Sequence, residues 1–210
     1  MYDAAFFDTI RAGTRASAEV VVPMVVDIVQ PRTVLDVGCG EGWWAHTFAA
    51  TAGCEVLGID GAYVSGSPIE GRFIALDLAH ESFAALARVD LAVALEVAEH
   101  LPPARAESFI ADLAAVAPVV LFSAAIPGQG GTGHVNEQWP DYWVEKFNAH
   151  GMAVSGALRW KIWGDDRVEN WYRANLLVAA RSPEAYPELF DTPLATPWPV
   201  VHPVLYDARR

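Results

Sequence analysis

This sequence predicts an α/β protein with a mostly parallel sheet between layers of helices, on three observations. Short β-branched runs alternate with alanine-rich stretches of helical length. The first of those runs opens into a glycine-rich turn followed at once by a helical segment. A chain of 210 residues that is 53% apolar is long enough for one sizeable core and short for two.

In chain order, residues 1–30 place Phe6, Ile10, Val21, Val22, Val25, Val26 and Val29 among alanines. They predict one or two amphipathic helices interrupted near Pro23, whose ring removes a backbone donor. Strands are expected at 33–37, 55–59, 72–75, 91–95 and 119–123, and helices at 43–52 and 103–117, the latter started by Pro102 and Pro103. Such alternation makes parallel pairs joined by crossover helices. After the fifth strand the rhythm breaks: residues 124–138 hold Gly128, Gly130, Gly131 and Gly133. Loops of that length in compact domains are often functional. A helix over 140–150, a strand over 152–155 and an apolar strand over 174–180 complete a core of residues 31–181. Residues 182–210 carry six of the 14 prolines with Tyr186, Leu189, Phe190, Leu194, Trp198 and Tyr206, which predicts an irregular tail packed on a single domain 1–210.

The formal net charge of −12 sets an average field that repels a phosphate backbone, so nucleic acid is a poor partner and a small molecule a better one. The two cysteines, Cys39 and Cys54, support neither a disulfide framework nor a cysteine zinc site. No run of about 18 apolar residues occurs, and the opening MYDAAFFDTIR lacks the basic region and apolar run of a signal peptide. A soluble cytoplasmic protein without membrane contact is expected.

Chemistry concentrates first in VLDVGCGEGWWA, residues 34–45. Gly38, Gly40 and Gly42 remove the side chains that would block a ligand, Cys39 is small, and the amides opening the next helix suit an anion. Trp43 is placed to shield whatever binds there, whereas Trp44 and Phe48 read as core. Asp60 closes the second strand 24 residues after Asp36, where a carboxylate accepts ribose hydroxyls. Asp77, with Leu78, follows the third strand at the sheet edge, in reach of an adenine amino group, although a helix cap or turn role suits it equally. Asp36 is available to a cationic amino group. Together these acids point to a nucleoside carrying an amino acid, with no pyrophosphate. A nicotinamide site is disfavoured, since the turn lacks the six-residue dinucleotide spacing.

Asp36-Val-Gly-Cys-Gly-Glu-Gly42, the strand end at Asp60, the Asp77-Leu78 position and Leu95-Glu-Val-Ala-Glu-His-Leu101 resemble the successive motifs of class I S-adenosylmethionine-dependent methyltransferases over roughly residues 30–180. The resemblance implies a three-layer Rossmann-like fold with a seven-stranded sheet ordered 3-2-1-4-5-7-6, the seventh strand antiparallel. It implies S-adenosylmethionine as cofactor, held by Asp36, Gly38, Cys39, Gly40, Gly42, Trp43, Asp60, Asp77, Leu78 and Glu96.

Glu96, Glu99 and His100 have the i, i+3, i+4 spacing that puts three side chains on one side of a helical turn. His134 lies on the glycine-rich loop. In the implied strand order all four catalytic candidates meet above the methyl donor. Two mechanisms stand open. His134 is a general base for a hydroxyl, with Asn136, Glu137 and Gln138 supplying hydrogen bonds, or Glu96, Glu99, His100 and His134 bind a divalent metal that acidifies it. The second set is similar to the Glu-x-x-Glu-His plus distal His pattern of small-RNA 2′-O-methyltransferases and ubiquinone-biosynthetic O-methyltransferases. Among Trp139, Trp143, Trp160, Trp163 and Trp171, Trp139 is the pocket candidate because it ends the loop. The stretches 128–140, 160–163 and 171–178 resemble a bacterial methyltransferase subgroup linked with sugar or natural-product modification. O-methylation of a small hydroxylated acceptor is therefore expected, with N-methylation or non-catalytic cofactor binding as alternatives.

Overall fold

The computed structural model describes residues 4–64, 69 and 72–208, with side chains from residue 11 onward, so Phe6 and Ile10 place their side chains outside the described ones. The strands are β1 (Thr33–Val37), β2 (Glu55–Asp60), β3 (Phe73–Ala75), β4 (Leu91–Leu95), β5 (Val119–Ser123), β6 (Ala153–Ser155) and β7 (Leu177–Ala180). The helices are α1 (Ala4–Val29), α2 (Trp43–Ala52), α3 (Ala106–Val116), α4 (Pro140–Ala149), α5 (Ala157–Ile162), α6 (Asn170–Asn175), α7 (Pro187–Phe190) and α8 (Pro203–Asp207).

One seven-stranded sheet has the order β3-β2-β1-β4-β5-β7-β6. β1 to β5 pair in parallel, and β7 is antiparallel to both β5 and β6. Every residue of β4 and β5 is buried, as a parallel strand covered on both faces requires. Successive side chains point to opposite faces. Leu91, Val93 and Leu95 of β4 join a core with Val21, Val22, Val25, Trp44 and Phe48. Ala92 and Ala94 face the other layer, with Phe83, Phe109, Phe122 and Trp143.

Several element boundaries depart from expectation. α1 runs without interruption through Pro23. Val21, Val22 and Val25 lie on both sides of the proline and are buried in the cluster that α2 supplies. At about 1.5–3 kcal/mol for each such side chain, their burial outweighs the roughly 3 kcal/mol that an interior proline costs. The apolar run from Ala174 begins as helix, since the Leu176 amide still bonds the Tyr172 carbonyl in the last turn of α6, and strand starts at Leu177. The helix expected from Pro103 opens as a 3₁₀ turn, Pro103–Arg105, before α3.

The tail is only half packed. Leu189 and His202 are buried, but Leu194, Trp198 and Tyr206 stand about half exposed. Contrary to the irregular chain expected, the tail forms the short helices α7 and α8, each opened by a proline at its first position, where the missing N–H costs nothing. Among the described residues no helix is long and apolar enough to cross a membrane. Replacing Pro23 by Ala, which restores the donor toward Glu19 within an intact helix, is expected to raise unfolding free energy by about 1–3 kcal/mol. Urea denaturation of the two chains measures it.

Candidate functional site

β2 and β3 leave β1 on one side and β4 and β5 on the other, so the loops at their C-terminal ends diverge between β1 and β4. A cleft of about 860 Å³ opens there, within the range of small-molecule sites. The glycine turn forms its floor. Gly38, Gly40 and Gly42 have φ of 72°, 52° and 84°, and a Cβ on Gly38 would come within 2.4 Å of Val97 Cγ2. Glycine is required there by both backbone angle and space. The Gly38 amide donates to the Ile59 carbonyl at 2.8 Å, tying the turn to β2. Gly42 caps α2 without a side-chain bond. Cys39 is buried, and burial pushes its thiol pKa up, so it stays protonated.

Three carboxylates surround the turn in different states. Asp60 is buried and accepts the Gly40 amide at 2.7 Å, the Gly61 amide at 2.6 Å and the Tyr63 hydroxyl. Asp36 lines the cleft, yet it is only 3% exposed and accepts the Ala45 amide at 3.1 Å, so it anchors the first turn of α2 instead of standing open to a cation. Burial, with a further contribution from Asp60, pushes its pKa up to about 7 against the opposing Ala45 bond. Asp77 sits exposed at the rim, accepting from the Ala79 amide at 3.0 Å and paired with His80 Nδ1 at 2.8 Å, so it does organise a turn. Those two bonds hold its carboxyl below the usual range. Leu78, beside it, is buried at the cleft wall.

Arg11 and Thr14 of α1 also line the cleft. Arg11 grips Glu41 of the glycine turn through two bonds, Nε to Oε2 at 2.8 Å and Nη2 to Oε1 at 2.5 Å, and Trp43 Nε1 donates to the same carboxylate at 3.2 Å. The Arg11 bond leads the causes that hold the Glu41 pKa down. Nothing local to Arg11 signals this contact, which spans 30 residues of sequence.

On the other side of the cleft, Glu96 has φ 54°, rare for a residue with a side chain and a mark of functional sites. Its amide donates to the Ser123 carbonyl at 3.0 Å. Its carboxylate accepts Gln129 Nε2 at 3.1 Å and Asn175 Nδ2 at 3.2 Å. The chain then enters a 3₁₀ turn, Ala98–His100, so the helical i, i+3, i+4 alignment does not form. Glu96 turns toward Gln129 and Asn175, while ligand atoms of Glu99, His100 and His134 lie within 4.8 Å of one another. Glu99 is fully buried, and neither carboxyl oxygen finds a donor at hydrogen-bonding geometry. Burial and the charge of Glu96 push its pKa well up. The His100 and His134 rings meet edge-on at 4.7 Å, and burial with the His134 charge lowers His100 to about 4.

The loop after β5 is built around Glu137. Its carboxylate accepts the Gly128 amide at 2.7 Å and the Gly130 amide at 2.6 Å, and its Oε1 lies 2.9 Å from His134 Nδ1. Burial works against it, yet these bonds hold the Glu137 pKa below the usual range. The Val135 and Asn136 amides both donate to the Glu99 carbonyl at 2.9 Å, and Gln138 Nε2 donates to Asn136 Oδ1 at 3.0 Å. Trp139, N-cap of α4, is 39% exposed and outside the cleft lining, while Pro140, the first residue of the helix, is buried. The cleft tryptophans are Trp43, Trp44 and Trp171. Trp143 is core, and the Trp160 and Trp163 rings pack against each other, tilted by 35° with centroids 4.7 Å apart.

A family model described as a methyltransferase domain matches residues 12–160, a span that takes in most of α1, the glycine turn, Glu96 to His100 and His134. No curated protein matches the sequence. Among solved structures, the chain is similar to magnesium protoporphyrin IX methyltransferase from Synechocystis PCC 6803 with bound SAH, at 21% identity and TM-score 0.59, over 87% of this chain and 89% of that one. It is similar to Streptomyces venezuelae DesVI at 13% identity and TM-score 0.64, over 86% and 99%. An O-methyltransferase from neocarzinostatin biosynthesis, in complex with S-adenosyl-L-homocysteine and 1,4-dihydroxy-2-naphthoic acid, aligns at 16% identity and TM-score 0.61 over 84% of this chain and 57% of that one. The chain thus spans little more than half of that enzyme. At these identities the likeness is one of fold.

The buried Asp36 links stability to pH. Its folded pKa of about 7 lies above the ordinary 3.8, so the unfolded chain gives up this proton first as pH rises. The Asp36 contribution to stability therefore falls between about pH 4 and pH 7 and is level above that. An Asp36→Asn chain, whose amide oxygen still accepts the Ala45 amide, is expected to gain about 1–3 kcal/mol over the native chain at pH 8 and little at pH 4. Urea denaturation at the two pH values measures the difference.

Proposed function

The chain belongs to the methyltransferase-domain family, and we propose that it moves a methyl group from S-adenosylmethionine to a hydroxyl of a small acceptor, of the sugar or natural-product kind. One observation carries this reading: a glycine cradle with a buried ribose-type acid and a carboxylate–imidazole group face one another across a single cleft. The glycines leave no Cβ where the nucleoside approaches, and Asp60, already aimed by the Gly40 and Gly61 amides, accepts its ribose hydroxyls. Asp77 and Leu78 flank the adenine position at the rim. Cys39 and Trp43 enclose the cofactor, while Gly42, outside the lining, starts α2 and Asp36 holds that helix beneath it.

When bound, S-adenosylmethionine supplies a methyl group on a sulfonium centre, ready for in-line displacement. The protein has to align the acceptor and manage its proton. His134 takes the hydroxyl proton, and the acceptor oxygen keeps the electron pair with which it attacks. Glu96, fixed by Gln129 and Asn175, accepts a hydrogen bond from the acceptor and holds it in line. Arg11 and Thr14, with Trp43, Trp171 and Tyr172, limit the acceptor's size and exclude water. Support for a hydroxylated acceptor comes from the base itself, since an amine needs less help, and from the structural neighbour solved in complex with S-adenosyl-L-homocysteine and 1,4-dihydroxy-2-naphthoic acid.

A second reading is favoured by the buried Glu99, whose two oxygens lack donors while two imidazoles lie within 4.8 Å. That donor set fits a divalent cation with an open side toward the cleft, which His100 and His134 both line. The cation would act as a Lewis acid on the hydroxyl.

S-adenosylhomocysteine at about 100 times its dissociation constant is expected to stabilise the chain by about 2.7 kcal/mol. Asp60→Ala should abolish that shift, and absence of any shift at millimolar ligand overturns the cofactor reading. His134→Ala is expected to lower kcat on an accepted substrate by about 10²–10⁴-fold while leaving cofactor affinity unchanged. For the cation, Mn²⁺ uptake in equilibrium dialysis by the native chain and its loss in Glu99→Gln are expected. Full activity in chelator with no uptake leaves His134 acting as base alone.

A further inference from the structure

Resting on the reading of His134 as the working imidazole, we propose that Glu137 is its positioning residue, fixing the ring as the Nδ1–H tautomer with the Nε2 lone pair presented to the cleft. An ionised carboxylate only accepts hydrogen bonds. Glu137 takes two backbone amides of its own loop at 2.7 and 2.6 Å, and the ring nitrogen 2.9 Å away must therefore be a donor. Nδ1 carries the proton, and in the neutral ring Nε2 carries the lone pair.

Gly131 leaves the room that the ring occupies. A Cβ there would fall 2.3 Å from Nε2, so a larger residue would turn the ring out of place. The far end of the loop is tied down where the Val135 and Asn136 amides meet the Glu99 carbonyl. The glycines thus let one carboxylate gather its own loop and aim the imidazole in the same act. A carboxylate behind a ring nitrogen raises the basicity of the other nitrogen and fixes its direction. With Nδ1 protonated, Nε2 is the nitrogen left to take a proton or to bind a cation. Glu137 serves either.

The test is long-range ¹H–¹⁵N NMR of the full chain with labelled histidine at pH 8, the His134 ring being assigned by its absence in His134→Gln. A protonated Nδ1 and an unprotonated Nε2 are expected in the native chain, and the Nε2–H tautomer there would overturn the proposal. Glu137→Ala should lose the preference, and an unchanged His134 pattern in it would also overturn the assignment. Should that variant fail to fold, Gly131→Ala, which leaves Glu137 in place, is expected to shift the Nε2 resonance. With an accepted substrate, Glu137→Ala should lower kcat about 10–100-fold with cofactor affinity unchanged, and Glu137→Asp should recover part of it. Cofactor binding measured on the same samples separates the two readings. Loss of binding in the native chain sinks the cofactor assignment, whereas the tautomer reports on Glu137 alone.

Discussion

Gly38 lies so close to Val97 that a single methyl group between them would come within 2.4 Å of the valine. That approach brings the end of β1 against the segment leaving β4, and the rest of the site follows from it. The chain must turn sharply with positive φ at three glycines before α2 can start, and the turn reaches β2 through the Gly38 and Cys39 amides. Because β1 and β4 are neighbours whose loops diverge to opposite sides, the space above the contact becomes the cleft.

The protein gathers buried acids around that space: Asp36, Asp60 and Glu99 are all under 9% exposed. Each is handled differently. Asp60 is compensated by amide donors, Asp36 is partly compensated and titrates near neutrality, and Glu99 is left beside Glu96 with a carboxyl that favours its neutral form. An uncompensated buried polar group costs stability unless a ligand or a proton satisfies it. The packing on both faces of the sheet, with β4 and β5 wholly enclosed, supplies the stability that such a site draws on.

Much of the fold is legible in the sequence because strand and helix periodicity are short-range properties. LAVAL and VVLFS read as doubly covered strands, and the glycine turn with Asp60 reads as a cradle, since each rests on stereochemistry within a few residues. Errors fall where tertiary burial overrides a local rule. Pro23 does not break α1 because the valines around it are buried, and Trp139, at the N-cap of α4, stands outside the cleft. The half-exposed Trp198 and Tyr206 show the reverse, apolar side chains of a tail that its short helices leave only partly covered.

The sequence by itself determined the sheet-and-helix alternation, the donor-type turn of Gly38, Gly40 and Gly42, and the acids able to serve it. Only the tertiary structure decided what the reactive groups meet: Glu96 bonds Gln129 and Asn175, and Glu99, beside it, lies near His100 and His134. It also decided that Arg11 closes on Glu41 and that Glu137 stands behind His134. The reason is distance along the chain. A turn is encoded by the residues that make it, whereas a contact such as Glu96 to Asn175, 79 residues apart, depends on strand order, helix rotation and a left-handed residue that no local periodicity records.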